Sequence, residues 1–131
     1  MRHGGYILRV KPEWVDTVFQ SGVYYTGFVA VKGWRPGSTV IFVSKTEVGD
    51  SIIGYGVIER VRVKEELSEG ELAFCIPRGW SMAVEFSSLT RLSTPVPVKI
   101  TPIAKWGVYG RYLHGRRLTA EELEAIMRII G

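Results

Sequence analysis

At 131 residues with a formal net charge of +4, the chain fits one domain, residues 1–131, large enough to bury its own core. A hydrophobic content of 46% and a charged content of 23% are those of an ordinary globular protein, and no apolar run approaches the roughly 20 residues of a membrane-spanning helix. Cys75 is the only cysteine, which excludes an internal disulfide and a cysteine-rich zinc site.

Met1 to Gly5 reads as a short flexible lead-in, without the apolar stretch of a signal peptide, so the expected compartment is cytoplasmic. Tyr6 to Val10 reads as a strand. Pro12 and Glu13 then open a helix that buries Trp14, Val15, Val18 and Phe19 on one face and stops at Gly22. Val23 to Val31 is rich in aromatic and β-branched residues and is expected to be extended, with Gly27 at a bulge. A Pro36-Gly37 turn leads into Thr39–Val43, a continuous apolar run suited to a central strand.

Ile52 to Val63 predicts a long strand, with Gly54 and Gly56 marking a bend or a close backbone approach. Lys64 to Glu71 reads as an acidic surface segment with at most one helical turn. Trp80 to Phe86 alternates apolar with small or polar residues, a strand pattern, and Thr94 to Ile100 is an extended segment whose prolines place it at an edge. Thr119-Ala120-Glu121-Glu122 is a capping box opening a helix with an apolar stripe of Leu123, Ile126, Met127 and Ile130. Taken together, these elements predict an α+β fold, a mixed β-barrel of about five or six strands with short flanking helices and a C-terminal helix.

Composition also bears on source and partner. The chain has no asparagine and a single glutamine, Gln20, while arginine outnumbers lysine by eleven to six. That depletion of thermolabile amides fits a hyperthermophilic, archaeal-type origin. Residues 86–120 carry six basic residues and no carboxylate, whereas residues 1–85 are balanced at ten of each sign. A local excess of this kind is a footprint for polyanions.

Searches for catalytic chemistry mostly fail. Gly54-Tyr55-Gly56 begins like a dinucleotide fingerprint, but Glu59 stands at the third glycine position and a strand continues where a helix is needed. Gly79-Trp80-Ser81-Met82-Ala83 resembles a nucleophile elbow but leads into a strand. The sequence points to no catalytic residue, cofactor or metal ligand; Glu47, Asp50 and Glu85 are the carboxylates a nucleic-acid-processing enzyme would have to use. Aromatic and basic residues remain: Tyr24, Tyr25, Phe28 and Trp34 before the turn, then Trp106, Tyr109 and Tyr112 interleaved with Lys105 and Arg111. Rings stack on bases and cations hold phosphates. Trp34, flanked by Lys32, Gly33 and Arg35, is expected at a surface turn.

The order of these segments resembles the PUA-like superfamily with its EVE, YTH and ASCH branches. Residues 35–44, Arg-Pro-Gly-Ser-Thr-Val-Ile-Phe-Val-Ser, are similar to the EVE-type strand pattern, as are Ile53–Glu59 and the Pro-Val-Pro-Val run at 95–98. The resemblance implies RNA or another nucleic acid as partner, with a modified nucleobase as its ligand. It puts the pocket against the strand ending at Ser44 and the segment Tyr24–Ala30, with Tyr25 and Thr26 in it and Trp34 at its rim. Together with the basic residues, the candidate binding set is Tyr25, Thr26, Lys32, Trp34, Arg35, Ser44, Lys45, Lys105, Arg111, Arg116 and Arg117. The ASCH pattern of catalytic residues is replaced at Gly22–Phe28, and the sequence shows no full tryptophan cage of the YTH kind. A sensor of small molecules or nucleotides is the alternative.

Overall fold

The computed structural model describes residues 3–108 and 110–131, the side chain of His3 excepted. Met1 and Arg2 of the expected lead-in, and Tyr109 of the second aromatic group, lie outside the described residues. The fold is α+β. In chain order it runs β1 (His3–Arg9), α1 (Val15–Ser21), β2 (Val23–Thr26), β3 (Thr39–Thr46), β4 (Gly49–Arg62), α2 (Glu69–Cys75), β5 (Met82–Pro97), β6 (Arg117–Thr119) and α3 (Ala120–Ile130), with one-turn 3-10 helices between.

The strands form one six-stranded sheet in the order β2-β5-β4-β3-β1-β6. β1 and β3 are parallel and the other pairings antiparallel. Thr39–Val43 is central as expected, since β3 is flanked by β1 and β4. The expected closed barrel is not formed by the strand pairing: β2 and β6 are the two ends of the sheet and do not pair with each other. Both are short, four and three residues, and chain-reversing 3-10 turns follow or precede them. The sheet bends all the same, because β4 changes register against β3 once and against β5 three times, and such bulges increase local twist.

Period-two alternation explains how one sheet fills two cores. Tyr6 and Leu8 of β1, with Val40 and Phe42 of β3, join α1, Trp34 and Ile58 on one face. Ile7, Ile41 and Val43 face the other way, onto Val98, Ile103, Leu113, Leu118 and α3. The continuous apolar run of β3 is the signature of burial on both faces.

The helix ends follow local chemistry. Gly22 closes α1 in the left-handed region, at φ 74°, as its position after the apolar stripe predicts. In the capping box of α3 the Glu122 amide donates to Thr119 Oγ1 at 3.1 Å and the Thr119 amide donates to Glu122 Oε1 at 2.9 Å. Ile126 is fully buried and the rest of the stripe packs beside it. α2 exceeds the expected single turn because Ser68 caps it, accepting from the Glu71 amide at 3.1 Å. Gly54 is required by close approach, since a Cβ there would lie 2.4 Å from the Thr90 carbonyl oxygen and 2.6 Å from the Phe19 ring. The extended stretch expected from Val23 to Val31 ends early: β2 stops at Thr26 and Val29–Gly33 is a 3-10 helix.

Candidate functional site

A cavity of about 550 Å³ opens where α1, β2, α2 and the 111–114 segment converge at the end of β1. Register sets its floor. β2 pairs antiparallel with the start of β5, Tyr25 opposite Ala83 and Thr26 opposite Met82, so Trp80 arrives beside Tyr25. The 3-10 turn that leads into α1 brings Trp14, and α2, just upstream of Trp80, brings Phe74.

Four rings gather there. Trp14 and Trp80 meet edge to face at 5.3 Å, and Trp14 and Phe74 do so at 6.0 Å. Tyr25 and Trp80 are nearly parallel, 12° apart in plane, with centroids 6.5 Å apart. The Arg78 guanidinium lies 4.0 Å from the Phe74 ring centroid and 5.9 Å from that of Trp14, holding the outer rings by cation–π attraction. The charged residues in the wall, among the described residues, are Arg9, Lys11 and Arg111, all basic.

An ion-pair relay fixes the Tyr25 ring. The Tyr25 hydroxyl donates to Glu71 Oε2 at 2.6 Å. Arg62 donates to both oxygens of the same carboxylate, at 2.8 and 2.7 Å, a bidentate geometry with directional strength. Arg62 also pairs with Glu85, which in turn takes Arg60. The Arg62 fork, with the Ser68 amide and the Tyr25 hydroxyl, holds the Glu71 carboxyl far below the usual carboxylate range. Burial, then the Glu71 hydrogen bond, pushes the Tyr25 phenol up to about 12. Burial outweighs the hydrogen bond from Thr26 and lifts Tyr24 likewise to about 12. Both phenols are therefore protonated at neutral pH.

His114 completes the wall. The Arg9 amide donates to His114 Nδ1 at 3.0 Å, and burial holds the imidazole below its ordinary pKa. The ring is neutral at pH 7 and carries its proton on Nε2, which makes it a hydrogen-bond donor.

The structure distributes the sequence-derived candidates unevenly. Tyr25 and Arg111 line the cavity. Lys45 lines a second, smaller cavity. Thr26 is buried and its Oγ1 accepts from the Phe28 amide at 2.9 Å. Ser44 is only 2% exposed and its hydroxyl donates to the Val10 carbonyl at 2.7 Å. Lys32 and Arg35 are exposed but outside the lining of either cavity. Lys105, Arg116 and Arg117 are exposed too, with Arg116 donating to the Tyr112 carbonyl at 3.1 Å and lying over Trp106.

Trp34 requires a correction. It was expected at the rim, yet it is 6% exposed and stacks on Tyr6 with centroids 4.1 Å apart and planes 8° apart. Its neighbours Lys32, Gly33 and Arg35 are exposed as the turn chemistry demands; the ring alone folds inward. The expected pocket wall also moves: the end of β1 supplies Arg9 and Val10 where Ser44 was placed. Residues the sequence did not single out supply most of the site, above all Trp14, Phe74, Trp80, Arg9 and His114.

The carboxylates needed for hydrolytic chemistry do not converge. Asp50 stands near the start of β4 and is bonded by Arg9, Glu85 pairs with Arg60 towards its far end, and Glu47 is exposed in the β3–β4 turn. Among the described residues no cluster of three His, Cys, Asp or Glu could hold a metal ion, and no helix is long and apolar enough to cross a membrane.

No protein-family model and no curated protein matches the chain. Solved structures do. An NMR structure of Rpa0253 from Rhodopseudomonas palustris aligns over 98% of this chain and 93% of its own, with a TM-score of 0.62 at 18% identity. A hypothetical protein from Leishmania major aligns over 98% and 94%, with a TM-score of 0.66 at 17% identity. At this identity the likeness is one of fold.

Proposed function

We propose that the chain is a nucleic-acid-binding module of the PUA-like kind, its bent sheet an opened version of that barrel, which takes one splayed RNA base into the aromatic cavity. The lining carries this reading: four aromatic rings in one wall, with basic residues as the only charged groups among the described residues. Bases stack on such rings while cations meet phosphates. Tyr25 and Trp80 present nearly parallel faces, their centroids 6.5 Å apart, on which a planar base can stack. Neutral His114 and the protonated Tyr24 phenol supply donors for a base's carbonyl or ring nitrogen. A modified base fits the same chemistry, because a slot of about 550 Å³ has space beyond an unmodified ring.

The function is that of a reader, with recognition in place of catalysis. Anisotropy titrations against single-stranded, hairpin and duplex RNA test it, repeated at several salt concentrations. Binding that weakens steeply with salt is expected, because counterions are released when phosphates are neutralised. The absence of binding to every one of these RNAs at low salt overturns the reading. Affinity independent of salt would favour the sensor of neutral small molecules, for which the cavity volume is also suitable.

A further inference from the structure

We propose that the second cavity, on the other side of Arg9, is a phosphate site, and, resting on the reading above, that it takes the backbone phosphate next to the inserted base. This cavity of about 400 Å³ is walled by the β3–β4 hairpin end and the turn after β5, and Arg9 lines both cavities. Arg9 is the residue that the linings of the two cavities have in common.

The charge around the second cavity is what selects an anion. Lys45, Lys99 and Arg9 face one carboxylate, Asp50. Both Asp50 oxygens are already engaged: Oδ1 accepts from Arg9 Nε and Nη2 at 3.2 and 3.0 Å, and Oδ2 accepts from the Gly110 amide at 2.7 Å. Register puts Lys45 directly opposite Asp50, yet the carboxylate is committed to Arg9. Neither Lys45 nor Lys99 is in an ion pair among the described residues, and both are exposed. Two uncompensated ammonium groups therefore share a concave site, and ammonium groups bind phosphate as point charges. Asp50 has a structural part in this arrangement. By bonding Arg9 and the Gly110 amide together, it fixes the residue that the two cavities share.

The test has two arms, both using the full chain and the double variant Lys45→Gln/Lys99→Gln. Exposed lysines leave the fold intact, which the variant's amide spectrum verifies. In the first arm inorganic phosphate is titrated against sodium chloride of equal ionic strength while backbone amides are followed by NMR. Saturable shifts at Gly49, Asp50 and Lys99, lost in the variant, are expected; their absence from the wild type overturns the phosphate site. In the second arm the salt dependence of oligonucleotide binding is measured. The slope of log affinity against log salt follows the number of phosphates neutralised, about 0.9 for each, so loss of this one phosphate contact should make the variant's slope shallower by about 1. An unchanged slope, with free phosphate still bound, overturns the strand as the source of the phosphate. If the wild type binds no strand at all, the reader function falls, while the phosphate arm decides this cavity independently.

Discussion

Among the described residues, two places where tryptophan meets tyrosine are opposites. Trp34 lies flat on Tyr6 at 4.1 Å, 6% exposed, with no room between the rings. Trp80 runs nearly parallel to Tyr25 at 6.5 Å and lines a cavity with Trp14 and Phe74. The first pair spends its apolar surface on stability. The second lines a cavity, and its tyrosine is anchored by polar bonds, Tyr25 to Glu71 and Glu71 to Arg62. Rings closed on each other belong to the core, whereas rings that line a cavity keep part of their faces uncovered.

The contrast breaks most visibly at Trp34. Trp34→Ala should cost about 3–5 kcal/mol of stability, the usual range for emptying a buried aromatic site, while RNA affinity per folded molecule stays unchanged. Thermal melting and an anisotropy titration on this variant check both halves. Lost affinity with an unchanged melting temperature would return Trp34 to the surface.

Trp80→Ala should invert the pattern. One base–aromatic stack contributes about 1–3 kcal/mol to binding, so affinity should drop at least several-fold while the fold persists. Equal affinities for wild type and variant would mean that no base stacks on Trp80.

The pieces that local chemistry determines are legible in the sequence. Thr119 and Glu122 sit three apart, and their capping box needs nothing from the rest of the chain. The doubly buried strand at Val40–Val43 is legible because burial on both faces removes polar residues from its pattern. Ser68 and Glu71 carry the same capping signal as Thr119 and Glu122, but the surrounding acids and Gly70 make the segment read as surface. The cavity is not legible. Trp14 and Trp80 are remote in sequence and meet only because β2 pairs with the start of β5. At Trp34 the turn residues correctly predict an exposed backbone, but an exposed backbone does not dictate where a large ring goes. Barrel closure is likewise out of reach, since it depends on whether β2 and β6, four and three residues long, reach each other.

The relay behind the open pair can be weakened on its own. Glu71→Gln keeps the side chain's shape but removes the charge that Arg62 grips, and should cost about 1.5–3 kcal/mol, the range for hydrogen bonds to charged groups. It should also change the acid limb of the stability curve. The Arg62 fork holds the Glu71 carboxyl well below its unfolded value of 4.5, so the folded protein resists protonation that the unfolded chain accepts. That contribution is complete above about pH 4.5 and is lost as pH falls towards the folded pKa. Urea midpoints from pH 6 to pH 3 should fall more steeply for wild type than for Glu71→Gln, and parallel curves would show that Glu71 is not the group protected.

The smallest effect belongs to His114, which joins the cavity wall to β1. Burial lowers its pKa below the ordinary 6.5, and its Nδ1 is occupied as an acceptor by the Arg9 amide. Protonating Nδ1 would set two donors against each other, and the nearby Arg9 charge opposes it further. The unfolded chain has no such conflict and takes up the proton more readily. Stability from this group is therefore complete above about pH 6.5 and declines as pH falls through the window below it. An asparagine side chain at this position would offer an amide oxygen to the Arg9 amide without binding a proton. His114→Asn should therefore flatten the melting temperature between pH 7.5 and pH 5.5, where Glu71 does not titrate. The wild type should show a small decline across the same window. If both proteins are flat, His114 is not held neutral by its surroundings, and the donor assigned to its Nε2 loses its physical basis.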